Sequence, residues 1–298
     1  MYDQDSKGIS YTAGFFMLIA FAIAGLLLAT LIAAPVWQSM TGKELTEMTA
    51  YAKDPAYGRV FQVIHVINQV VGYFLSACLV AFLLHRRPAY LLGFHGSIRA
   101  RQAGLVILIT AIALLVGTAL SYINHQVPIP ADWKLRFDKM ETDYNQQAQA
   151  ILNLKNTGDY IIALLVMAVV PAICEETLFR GGLQNFLTRS ARNYWVGVVV
   201  VSLLFSVAHF SFYGFLFRFF LGMVLGLIYQ YTGRLWLAIL AHFLNNALAV
   251  TVYYMYLRQG KSVDEAMNMT AESWWTILFL PILIILFMLL RRASVKPA

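Results

Sequence analysis

Charge is scarce in this sequence. Of its 298 residues 12% are charged and 60% hydrophobic, with a mean hydropathy of +0.66. A soluble domain carries about a quarter charged residues, so a water-soluble globule is excluded and an integral membrane protein is indicated. Cysteine is nearly absent too. Cys78 and Cys174 both fall inside apolar segments, which excludes a disulfide-stapled loop fold and leaves them as buried small hydrophobes. The stretch before the first apolar run, "MYDQDSKGISYTAG", lacks an A-x-A-like cleavage site. That run is therefore expected to remain as a helix rather than to act as a cleaved signal peptide. No segments of alternating polarity occur, which argues against a membrane β-barrel. Nor is any polar stretch long enough to hold a soluble core. The longest connection, 124–159, is expected to form at most a surface helix.

What is abundant is apolar sequence in lengths suited to crossing a membrane. A spanning helix needs about 20 apolar residues, and the stretches 12–34, 60–84, 103–123, 160–174, 194–210, 215–231, 235–256 and 274–290 approach that length. Backbone polar groups in lipid must be satisfied within their own segment. The expected fold is therefore all-α: a polytopic membrane helix bundle of about eight transmembrane helices, forming one transmembrane domain over 1–298. The basic clusters "HRRPAY", "SIRAR" and "RRASVKPA" directly flank spans. With an even number of crossings, the positive-inside rule then places both termini in the cytoplasm of a multi-pass cell-membrane protein. Anionic lipid headgroups and topology account for the net charge of +7, so no nucleic-acid partner is implied.

Against this background "PAICEETLFRGG", 171–182, stands out at the end of an apolar run. An ionisable residue at membrane depth costs at least about 2.5 to 3.5 kcal/mol and usually faces a bundle interior or a wet cavity. Glu176 and Arg180 are four residues apart with the acid first, the favourable order for a helical ion pair. Glu175 points about 100° away around the helix and has no local cation, which leaves it as the reactive carboxylate. Pro171 is expected to open a bend just before it. "FSVAH" places His209 near the end of the fifth stretch, one turn after Phe205. "HFLNN" places His242 inside the seventh, with Asn246 four residues on along the same face. His65, near Asn68 and Gln69, reads as a packing or hydrogen-bonding histidine. Arg218 reads as an interfacial residue that snorkels outward. "GMVLG", 222–226, allows close helix contact.

These three segments together resemble the EExxxR, FxxxH and HxxxN signature of the CPBP intramembrane proteases. That group, also called the Abi family, includes the type II CAAX prenyl endopeptidases. The resemblance implies an eight-helix, glutamate-dependent or metal-dependent peptidase whose catalytic core covers about 160–256. Its functional positions would be Glu175, Glu176, Arg180, His209, His242 and Asn246. The partners it implies are the lipid bilayer and a peptide or membrane-protein substrate, prenylated and CAAX-like for some members.

Peptide hydrolysis needs an activated water, a stabilised oxyanion and a proton for the leaving amine. Glu175 suits the proton transfers and Asn246 the oxyanion. His209 and His242 either orient the water or, with Glu175, bind a divalent metal, of which zinc is the best match. An HExxH motif is absent, and residue types alone leave metal-bound and metal-free water both open. Two other classes use similar residues: a transporter or proton pathway, and a non-catalytic membrane scaffold. Helical rise also places His209 too deep for the other two groups unless 193–197 protrudes from the hydrocarbon.

Overall fold

The computed structural model describes residues 4–152, 154–260 and 273–294; Lys296 of the C-terminal basic cluster lies outside them. The chain runs through α1 (Tyr11–Thr41), α2 (Pro55–Leu84), α3 (Ala100–His125), α4 (Ala131–Leu152), α5 (Thr157–Ala191), α6 (Tyr194–Val207), α7 (Phe215–Thr232), α8 (Leu235–Arg258) and α9 (Trp274–Ser294). No β-strand occurs among the described residues. The protein is an all-α polytopic bundle. Seven of these helices, all but α4 and α6, are long and apolar enough to cross a membrane.

The fifth expected span is the exception. α6 has 14 residues, about 21 Å at 1.5 Å per residue, against a hydrocarbon core of about 30 Å. Its helix stops at Val207 rather than continuing to 210, because Phe210 takes a left-handed φ of 50°, which a right-handed helix cannot contain. The chain then turns toward α7. Asn124 of α3 holds this turn at two points: its Nδ2 donates to the Phe212 carbonyl at 2.9 Å, and its Oδ1 accepts from the Leu216 amide at 3.1 Å.

Burial divides the bundle into a centre and a rim. Half of the apolar window of α5 lies inside the protein, against 17% for α1, so α5 is the central helix. The rim instead exposes large apolar side chains such as Phe16, Leu27, Leu31 and Leu278, the surface a hydrocarbon solvent accepts. Where α7 meets α5 and α6, Gly222 and Gly226 remove the side chains that would intervene. A Cβ at Gly222 would meet Ser202 Cβ at 2.9 Å, and one at Gly226 would meet Gln184 Oε1 at 2.8 Å. Both glycine carbonyls are thereby open to α5: Gly222 accepts from Arg180 Nη2 at 3.2 Å and Gly226 from Gln184 Nε2 at 2.9 Å.

The polar connection forms helix α4, and one side of it roofs an internal cavity. Phe137 stacks on Phe212 at a centroid distance of 4.4 Å. Glu141 Oε2 accepts from Ser211 Oγ at 2.7 Å, and Lys53 pairs with Asp143.

Candidate active site

Four helices and the turn after α6 deliver polar groups to a cavity of about 820 Å³ beneath α4, lined among others by His65 of α2, Glu175 of α5, His209 of the turn, Arg218 of α7, and His242 and Asn246 of α8. On α5, Glu175 and Glu176 lie between two wide, π-type turns, Leu165–Val169 and Thr177–Gln184. Such turns occur often where a helix must redirect functional side chains.

Pro171 has no N–H to return to the carbonyl four residues back, that of Met167. Asn246 on α8 supplies the missing donor, with Nδ2 at 3.3 Å from that oxygen. Asn246 Oδ1 in turn accepts from Asn245 Nδ2 at 2.8 Å. The expected bend and the expected asparagine are thus two halves of one contact.

Glu176 is completely buried and bonded on one oxygen by two partners. Its Oε1 accepts from Arg180 Nη1 at 2.6 Å and lies 2.8 Å from His242 Nδ1. An ionised carboxylate only accepts, so His242 carries a proton on Nδ1. The Arg180 guanidinium also lies over the Phe205 ring, 4.6 Å from its centroid, and the edge of the same ring meets His242 at 5.9 Å and His209 at 4.8 Å. Phe205 therefore packs against three of the polar side chains at once.

Glu175, like Glu176, leaves its Oε2 unbonded, but of the two only Glu175 lines the cavity. Its Oε1 accepts from Gln69 Nε2 at 2.8 Å. Its Oε2 is buried without a hydrogen-bond partner, facing His242 Nε2 at 3.9 Å. That separation is too long for a direct bond. Gln69, from the π-type turn Asn68–Leu75 of α2, was not singled out by the sequence, because nothing local relates it to α5. His65, one turn earlier, also lines the cavity, with Nε2 buried and unbonded; packing alone does not describe it.

His209 sits in the turn after α6 rather than within a span. Its Nδ1 is 2.7 Å from the Phe205 carbonyl, which fixes the proton on Nδ1 and leaves Nε2 as an acceptor. That hydrogen bond is to the backbone, and among the described residues none joins the ring to Glu175 or His242. Among the described residues no group of three or more His, Cys, Asp or Glu side chains stands close enough to hold a metal ion. The donor set named for zinc, Glu175, His209 and His242, does not fit one as placed here. Arg218 also departs from expectation: it lines the cavity instead of snorkelling outward.

A membrane helix bundle that buries two glutamates, an arginine and His242 beside a cavity also lined by His65 and His209 has the features expected of a membrane-embedded protease. The chain belongs to the type II CAAX prenyl endopeptidase Rce1-like family, whose match spans residues 157–248. It is similar to an uncharacterized 24.3 kDa protein of Escherichia coli, 30% identical over 57% of this chain and 73% of that protein. It is also similar to the uncharacterized protein YpbD of Bacillus subtilis (strain 168), 29% identical over 37% of this chain. The latter alignment spans 56% of YpbD, little more than half its length. No solved structure matches the chain.

Proposed function

We propose that this chain is an intramembrane endopeptidase that hydrolyses a peptide bond of a membrane-associated or prenylated, CAAX-like substrate by glutamate-activated water. The observation that carries the reading is Glu175: one oxygen is anchored by Gln69 and the other is free toward the cavity. Glu175 Oε2 and the His209 Nε2 lone pair each accept one hydrogen of a water, which aims the water oxygen at a substrate carbonyl. Glu175 takes the proton as the oxygen adds to the carbonyl carbon, then delivers it to the departing amine as the C–N bond breaks. Donors for the oxyanion come from the second N–H of Asn246 Nδ2 and from Nε2–H of His242 in the form that has taken up a second proton from solvent before the attack. Glu176 at His242 Nδ1 stabilises that charged ring. A transport pathway would string such groups along a pore at several depths. Here Glu175, Glu176 and His242 share one cluster, which favours the peptidase. With the short α6 counted as a crossing, the basic clusters flanking the spans favour a cytoplasmic side for both termini.

The test is cleavage of a farnesylated, fluorescence-quenched peptide by the full chain in lipid nanodiscs. Glu175→Gln keeps the side-chain shape and the Gln69 contact, so the protein should fold and insert while the rate falls by about a hundred- to ten-thousandfold. Cleavage by this variant at the normal rate would refute the assignment. Activity should persist in EDTA, given the absence of an assembled ligand set; loss on chelation, restored by zinc, would bring the metal-bound alternative back.

A further inference from the structure

Apart from the histidines, Glu175 and Arg218 are the charged residues among those that line the cavity, and they are not paired with each other. Arg218 has no carboxylate partner among the described residues, and its Nη1 is buried without a hydrogen-bond partner. The guanidinium is flanked by an aromatic ring and a glycine. It lies 5.2 Å from the centroid of the Tyr144 ring on the roof helix α4. On its other side it rests on Gly214, where an added Cβ would come within 1.9 Å of Nη1. It sits in the first turn of α7, the positive end of that helix dipole, where a cation is disfavoured. A half-buried arginine there, with Nη1 buried and unbonded and no counter-ion among the described residues, is suited to an anion. Arg218 lines the same cavity as Glu175, His209 and His242, so the site and the proposed catalytic groups share one space.

We propose that Arg218 binds the terminal carboxylate of the peptide substrate. The proposal rests on the peptidase reading above and extends it. A carboxylate entering the cavity is attracted to Arg218 and repelled by Glu175, so the two charges set the direction in which the chain lies. The peptide end goes to α7, and an internal peptide bond is presented to Glu175. The planar guanidinium matches a carboxylate in two-pronged fashion. A phospholipid phosphate offers related oxyanion chemistry, so the test separates the two sources.

The experiment measures binding and cleavage separately, with the full chain in phosphatidylcholine nanodiscs. The probes are a fluorescent farnesylated pentapeptide with a free C-terminal carboxylate and the same peptide as its amide. Binding is read by anisotropy in the Glu175→Gln background, where the peptide stays intact. The acid should bind about tenfold more tightly than the amide. Adding Arg218→Gln should remove that preference while leaving amide affinity unchanged, which also reports a folded protein, and Arg218→Lys should restore part of it. Equal binding of acid and amide, or a preference that survives Arg218→Gln, would overturn the proposal. So would a preference abolished in phosphatidylglycerol nanodiscs, which would assign the site to lipid phosphate. Carboxylate preference without cleavage by the unmodified chain would remove the peptidase reading and leave this site standing. Cleavage with no preference would do the reverse.

Discussion

On the α5 wall of the cavity Arg180, Glu176 and His242 form a three-member network, with Glu176 and Arg180 fully buried. On the roof, Lys134, Asp138 and Tyr213 form a network of the same size in the open. Asp138 accepts from Lys134 Nζ at 2.7 Å and from the Tyr213 hydroxyl at 2.5 Å, with the Lys134 and Asp138 side chains 59% and 43% exposed. The two share a lysine-or-arginine-to-carboxylate contact at helical i,i+4 spacing and differ in solvent. In the wall the charges are out of water and held by one another, with Glu176 Oε2 and Arg180 Nε left unbonded, so removing one partner strands the others. In the roof, water replaces whatever is removed. The wall is therefore suited to hold Glu175 and His242 in fixed geometry, and the roof to be displaced at little cost.

The largest effect expected from breaking this comparison is at Arg180. Arg180→Ala leaves Glu176 buried with His242 as its remaining partner, and loss of one member of a buried pair costs about 3 to 5 kcal/mol. A large fall in the midpoint of thermal unfolding in detergent, with poor accumulation in the membrane, is expected. An unchanged midpoint would mean that the wall network is not what holds α5.

A smaller effect belongs to Gln69. Gln69→Leu removes the donor to Glu175 Oε1, and an unsatisfied buried acceptor costs about 1 to 3 kcal/mol. Because Gln69 positions Glu175 rather than touching substrate, kcat should fall with KM little changed, and Gln69→Asn should recover less than the original side chain. A rise in KM alone would place Gln69 in substrate binding instead.

These two residues also mark how far the sequence is legible. Glu176 with Arg180, and His242 with Asn246, repeat at four residues on a single helix, so their shared faces follow from helical geometry. The bundle follows from apolar run length. Gln69 and Arg218 have no such periodicity: one reaches α5 from α2 and the other faces α4, both through tertiary packing. The end of α6 was illegible for another reason. Ala208 and Phe210 are as apolar as the helix before them, and only the left-handed backbone at Phe210 ends the run. The sequence presents Asn246 as a free donor, because the carbonyl that Pro171 orphans lies on another helix.

On the roof the expected effects are smaller. Lys134→Ala should leave thermal stability unchanged within measurement, since the pair is solvated. A loss comparable to that of Arg180→Ala would abolish the contrast between wall and roof.

The smallest effect should appear with pH, and only in the roof. The Lys134 ammonium, and after it the Tyr213 hydroxyl, hold the Asp138 carboxyl below its usual range. A depressed native pKa means that Asp138 stabilises the docked roof at every pH above the unfolded value, about 3.9. That contribution is lost as pH falls through the lower, native value. Protonation weakens the bonds to Lys134 and Tyr213 together, while the Phe137–Phe212 stack and the Glu141–Ser211 bond still tether α4. The expected outcome is therefore loosening rather than release. Hydrogen exchange corrected for intrinsic rates should show a modest increase across α4 below that pH, with α5 unchanged. Asp138→Asn should show the same increase at neutral pH and flatten the acid response, because the amide carries no charge to titrate. Acid loosening that persists in full in Asp138→Asn would move the responsible group elsewhere on the roof, with Glu141 the next carboxylate to test.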